Sequence, residues 1–117
     1  MDFKEEALKV KEDLIADIQT LCRIPSVLDP ATAKEGQPFG QGCREALDCM
    51  LAFGRRDGFE VKDVDGYAGH IDIGEGDEVI GVLGHLDVVP VNAEGWIYPP
   101  FSCTLKDNIL YGRGTSD

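Results

Sequence analysis

The chain has 117 residues, of which 43% are hydrophobic and 28% charged, a size and composition suited to one domain or part of one. Its apolar runs are only a few residues long, far short of the roughly 20 needed to cross a bilayer, so a membrane is excluded as a partner. Lysine and arginine number 11 against 22 aspartates and glutamates, for a net charge of -11; with no basic cluster to follow a phosphate backbone, nucleic acid is not an expected partner either.

The first residues, Met1-Asp2-Phe3-Lys4-Glu5-Glu6, lack the basic start, apolar middle and small-residue cleavage site of an export signal, so the expected location is cytoplasmic. Thiols stay reduced there. Cys22, Cys43, Cys49 and Cys103 contain no Cys-x-x-Cys pair and read as small apolar residues. The acidic balance suits a protein that collects divalent cations, but solubility alone accounts for it equally well.

Apolar residues recur at Phe3, Ala7, Val10, Leu14, Ile18 and Leu21, a spacing that predicts one helix over residues 3–21 packing by one face. Pro25 limits it, because proline and the residue before it are disfavoured in helical geometry. A loop over residues 26–39 follows. A second helix is predicted over Gln41–Arg56, with Ala46, Leu47, Met50, Leu51 and Phe53 on its apolar face and Gly58 as its stop. Extended runs follow at residues 59–64 and 67–73, and Gly74-Glu75-Gly76-Asp77 reads as a turn between strands, giving a hairpin signal.

The run Glu78-Val79-Ile80-Gly81-Val82-Leu83-Gly84 is apolar on both faces, as expected of a central strand buried under helices on each side, and makes the expected fold α/β. Residues 101–104 and 109–111 are expected to form two more short strands, with Lys106-Asp107-Asn108 turning between them.

Directly after the buried run comes Gly84-His85-Leu86-Asp87-Val88-Val89-Pro90, which puts His85 and Asp87 at the carboxyl end of the expected central strand, where open α/β sheets carry their sites. Side chains alternate along an extended chain, so His85 and Asp87 share a side. A carboxylate that accepts one ring N–H sets the imidazole tautomer and makes the other nitrogen a better metal donor. A His-x-Asp triplet alone is weak evidence and arises in many proteins as ordinary polar surface.

A second candidate ligand is Asp117, in the glycine-rich segment Tyr111-Gly112-Arg113-Gly114-Thr115-Ser116-Asp117; an aspartate with one oxygen on each of two ions is a compact bridge. The alternative is a solvated aspartate in a loop. Trp96 and Phe101, in a stiff proline-containing stretch, are read as loop anchors ahead of substrate shields. His70 has Asp72 two residues on and mimics the first motif, but no buried run precedes it and it is read as exposed or hydrogen-bonded on a strand.

Taken together, the segment from Gly84 to Pro90, then Gly95-Trp96 and Pro100-Phe101, then the segment from Tyr111 to Asp117, resembles the di-zinc metallopeptidase superfamily of aminoacylase, acetylornithine deacetylase, succinyl-diaminopimelate desuccinylase and carboxypeptidase G. Phe53-Gly54-Arg55-Arg56-Asp57-Gly58-Phe59 and Tyr67-Ala68-Gly69 are similar to the dipeptidase V branch, the bacterial Xaa-His and broad-specificity dipeptidases. The resemblance implies that His85 binds one zinc, that Asp87 plays the catalytic role of orienting it, and that Asp117 bridges two zinc ions. It also implies dipeptide hydrolysis by a metal-activated water, with a Glu-Glu pair, an acidic ligand and a late histidine to follow.

On that resemblance residues 1–117 are the N-terminal portion of a zinc-exopeptidase-like catalytic domain, with a mixed central sheet flanked by helices and the lid domain outside the chain. The piece alone is expected to be inactive. The competing expectation, from the point where the sequence stops, is a naturally short, noncatalytic binding or interaction module.

Overall fold

In the computed structural model, which describes all 117 residues, the elements in chain order are α1 (Phe3–Lys9), α2 (Lys11–Cys22), α3 (Gln41–Arg56), β1 (Glu60–Val64), β2 (Ala68–Asp72), β3 (Thr104–Lys106) and β4 (Ile109–Tyr111). The fold class is α/β, as expected. The chain divides into two units, one made of Met1–Ile24 with Val91–Asp117 and the other of Pro25–Pro90.

In the Pro25–Pro90 unit, α3 has the bounds its periodicity predicts, and its buried residues are Ala46, Leu47, Leu51 and Gly54. This face packs on the antiparallel hairpin β1-β2, in which Val61 faces Ile71 and Lys62 faces His70. Two glycines let helix and hairpin approach closely. A Cβ on Gly54 would lie 2.7 Å from Val61 Cγ1, and one on Gly69 would lie 2.9 Å from Leu47 Cδ1 and 3.0 Å from Leu51 Cδ2. Each partner thus presents a bare backbone where the other presents branched side chains.

The hairpin turns at Asp65 and Gly66, whose φ values of 54° and 76° make the Val64 to Tyr67 turn, closed by Tyr67 N–H to the Val64 carbonyl at 3.0 Å, left-handed at both central residues. Expectation placed the hairpin turn at residues 74–77 instead. The sequence Asp65-Gly66 is itself the stronger turn signal, because these residue types tolerate positive φ. Across the base of the unit, Arg44 of α3 pairs with Asp48 one turn on, donates to the Gly36 carbonyl at 3.0 Å and reaches Asp63 of β1 at 2.6 Å.

The main correction concerns residues 78–84, which form no strand: Ile80 is 94% and Leu83 99% exposed. A strand apolar on both faces is stable only with neighbouring strands to satisfy its backbone and a layer over each face. The two sheets of this chain are two-stranded hairpins, and neither includes this run.

In the other unit, the expected single N-terminal helix is two. Asp2 caps α1 by accepting from Lys4 N–H at 2.9 Å. The backbone leaves helical geometry at Val10, whose N–H bonds the Ala7 carbonyl before α2 begins. Neither helix buries a residue, and Phe3 is 80% exposed, so the expected one-face packing is reduced to a half-buried side of α2 around Ile15, Ile18 and Cys22. Gln19 of α2 donates to the carbonyl of fully buried Cys103 at 3.1 Å, and Arg23 to that of Ser102 at 3.0 Å. The hairpin β3-β4 turns at Asp107 and Asn108, both at positive φ, and starts at Thr104, so residues 101–103 lie outside it.

Candidate functional site

His85-Leu86-Asp87 lies in the Pro25–Pro90 unit, and the extended backbone brings the two side chains to one side as alternation requires. His85 Nδ1 is 3.2 Å from Asp87 Oδ1 and 3.0 Å from the Asp87 carbonyl oxygen. Both partners are acceptors, so Nδ1 carries the proton and donates; in the neutral ring the lone pair is then on Nε2. Both side chains are about two-thirds exposed, His85 at 64% and Asp87 at 66%.

What holds this triplet is Ser26, which is 3% exposed. Its Oγ donates to the Leu86 carbonyl at 2.7 Å, and its own carbonyl accepts the Val88 N–H at 3.0 Å. The Cys43 thiol donates to the same carbonyl at 3.4 Å. Burial, and then the nearby Asp87 charge, push the Cys43 thiol above its usual range, which keeps it in the protonated, donating form. Ser26 is in turn seated by the start of α3, where Gly42 lies so close to the Pro25 carbonyl that a Cβ would be 2.2 Å from its oxygen. Nothing in the periodicity of the loop marks Ser26, and sequence reading misses it.

The second His-x-Asp pair has almost the same side-chain geometry: His70 Nδ1 to Asp72 Oδ1 is 3.0 Å, on a half-exposed imidazole of β2. It is exposed and hydrogen-bonded on a strand, as the sequence suggests. Asp117 lies in the other unit, exposed, after a turn in which Arg113 N–H bonds the Pro100 carbonyl at 2.8 Å and Thr115 Oγ1 donates to the Gly112 carbonyl at 2.9 Å. Gly112 fits closely there, since a Cβ would lie 3.3 Å from both Cys103 Cα and the Pro100 carbonyl oxygen, tighter than an ordinary contact. Trp96 anchors the preceding loop through its indole N–H to the Asn92 carbonyl at 2.9 Å, with the Arg113 guanidinium 5.5 Å above the ring.

The structure therefore brings His85 and Asp87 together and carries Asp117 on the other unit; no group of three or more His, Cys, Asp or Glu side chains gathers as a metal cluster. No helix is long and apolar enough to cross a membrane. An imidazole whose Nδ1 is held by a carboxylate and a carbonyl is an arrangement that, in metal sites generally, orients the ring and raises its basicity.

Residues 81–117, which contain both motifs, match the model of Peptidase family M20/M25/M40. Over all 117 residues it is 47% identical to "Putative dipeptidase YtjP" of Bacillus subtilis (strain 168), covering 25% of that protein. Over 115 residues it is 44% identical to a "Putative dipeptidase" of Staphylococcus epidermidis and 43% identical to "Putative dipeptidase SH1171" of Staphylococcus haemolyticus, covering 98% of this chain and 24% of each relative. The chain thus spans about a quarter of the length of the curated relatives it matches.

Proposed function

We propose that this chain is part of a zinc-dependent dipeptidase, to which it contributes His85 and Asp117 as metal ligands and Asp87 as the group that orients His85. The observation that carries the reading is the doubly accepted Nδ1–H of His85, which presents Nε2 as the donor atom. The relatives' names support dipeptides as the substrate class. The donor set fits zinc, which takes imidazole nitrogen and carboxylate oxygen readily.

Zinc, when bound, supplies Lewis acidity toward a peptide carbonyl and toward water. The residues of this chain do the holding. Asp87 accepts the Nδ1 proton, steadies the ring against rotation and raises its basicity, and Asp117 adds negative charge to offset that of the metal. The general base and the remaining ligands are proposed to be supplied by sequence beyond residue 117, so the 117-residue chain alone is proposed not to hydrolyse dipeptides. A cytoplasmic location is part of the same proposal.

The test is zinc content and dipeptide hydrolysis in the full-length protein. Chelation should abolish hydrolysis and added zinc restore it, and Asp117→Ala should lower both zinc content and rate. Unchanged zinc and rate in Asp117→Ala would remove Asp117 from the site. A folded 117-residue chain that captures a partner without zinc would favour the binding-module reading instead.

A further inference from the structure

Asp87 sits between two peptide planes. The first carries the Leu86 carbonyl and the second carries both the Asp87 carbonyl and the Val88 N–H. Ser26 hydrogen-bonds both planes, through Oγ to the Leu86 carbonyl at 2.7 Å and through its own carbonyl to the Val88 N–H at 3.0 Å. Since only φ and ψ at Asp87 relate these planes, one residue sixty positions upstream in sequence sets both dihedrals of Asp87. The second plane is also the one whose carbonyl accepts the His85 Nδ1–H at 3.0 Å.

From this we infer that Ser26 is a positioning residue for His85, acting through the backbone of Asp87; the inference rests on the reading of His85 as a ligand. Several features point to a built clamp. Ser26 is almost completely buried although it lies in a loop, its hydroxyl has a short, well-partnered bond, and its carbonyl receives two donors, Val88 N–H and the Cys43 thiol. The run that leads into the triplet, residues 78–84, has no ladder of its own, so the contacts to Ser26 take the place that strand pairing has for β2. Without them Asp87 would sample the extended region broadly, and the carbonyl and carboxylate that share the His85 proton would no longer converge.

The experiment compares wild type with Ser26→Ala and Ser26→Thr in the isotope-labelled, zinc-free chain, at a pH well above the imidazole range. Nitrogen NMR of the His85 ring reports the tautomer, and amide hydrogen exchange at Val88 reports the clamp. Ser26→Ala removes the Oγ bond to the Leu86 carbonyl and keeps the residue-26 carbonyl that accepts from Val88. By freeing the first plane it should move His85 from the Nδ1–H form toward the mixture found in free imidazoles and, through the loosened clamp, speed Val88 exchange by up to about tenfold, the effect of one net hydrogen bond. Ser26→Thr, which keeps the hydroxyl, should behave as wild type. His70, whose pair with Asp72 has no contact to Ser26, is the internal control and should not move.

An unchanged His85 tautomer together with unchanged Val88 exchange in folded Ser26→Ala overturns the inference. If Ser26→Ala loses the protected amides of β1 and β2, Ser26→Cys replaces it, since a thiol is a weak donor of similar shape; equal signals in the Thr and Cys variants would then overturn it. In the full-length protein, Ser26→Ala should weaken zinc binding about tenfold, the lower end of the effects seen for groups that orient a ligand. A full-length wild type that binds no zinc would defeat the proposed function while leaving the zinc-free ring and amide results standing, so the two failures are distinguishable.

Discussion

The chain contains the same local device twice, and the two copies are held in place by different forces. His70 and Asp72 lie on β2, where Lys62 faces His70 across the ladder and Leu47 and Leu51 of α3 crowd against the adjacent Gly69. His85 and Asp87 have no ladder and follow a bare apolar run, and their backbone is held by hydrogen bonds to Ser26. Yet the ring-to-carboxylate distances are 3.0 and 3.2 Å. A His-x-Asp pair forms wherever the backbone is extended, so the pair itself does not distinguish a ligand from a surface histidine. The difference between them is in the second acceptor on His85, the Asp87 carbonyl, and in the clamp behind it.

The largest expected effect breaks this comparison outright. In the full-length protein His85→Ala should remove zinc from one position and reduce dipeptide hydrolysis by more than the about 10- to 100-fold expected of Asp87→Asn, an orienting group. His70→Ala and Asp72→Asn should leave both unchanged. Metal content and initial rates measured on the four variants decide the point, and equal losses at His70 and His85 would void the assignment.

The next effect separates packing from hydrogen bonding. Leu51, 2% exposed beneath the β2 pair, should cost about 2–5 kcal/mol of stability when changed to alanine. Leu83, 99% exposed two residues before His85, should cost less than about 0.5 kcal/mol in the same denaturant titration. A large loss at Leu83 would show that the 78–84 run is covered in solution.

The smallest effect is electrostatic and confined to the hairpin side. The hydrogen bond from Arg44, and then that from Gly66 N–H, hold the Asp63 carboxyl below the usual carboxylate range. Because the folded-state value is the lower one, the contribution of Asp63 is fully present above the unfolded carboxylate range and is lost as pH falls through its lowered folded value. Acid titration of wild type should therefore show a loss of β1-β2 amide protection that Asp63→Asn lacks. With a partly exposed ion pair, salt should shrink the difference.

Legibility in the sequence followed the range of the interactions. The bounds of α3 are readable because its periodicity spans sixteen residues and Gly58 follows closely. The β3-β4 turn is readable because Asp107 and Asn108 accept positive φ. The β1-β2 turn was readable too, at Asp65-Gly66, but the glycines at 74 and 76 drew the expectation away from it. The break of the N-terminal helix at Val10 has no signal in residue type. The run at residues 78–84 misled for a physical reason: apolarity on both faces states what a strand requires, not whether the chain at hand supplies it.

By itself, then, the sequence determined what is encoded within a few residues: the α3 stripe, the turns, the same-side placement of His85 with Asp87, and the motif pattern of residues 81–117 that matches a peptidase family model. Tertiary structure alone decided that Ser26 pins both peptide planes of Asp87, that Arg44 ties α3 to β1, and that Ile80 and Leu83 stand exposed. Period and turn chemistry are local properties of the backbone, whereas a hydrogen bond across sixty residues exists only once the path of the chain has been settled by packing.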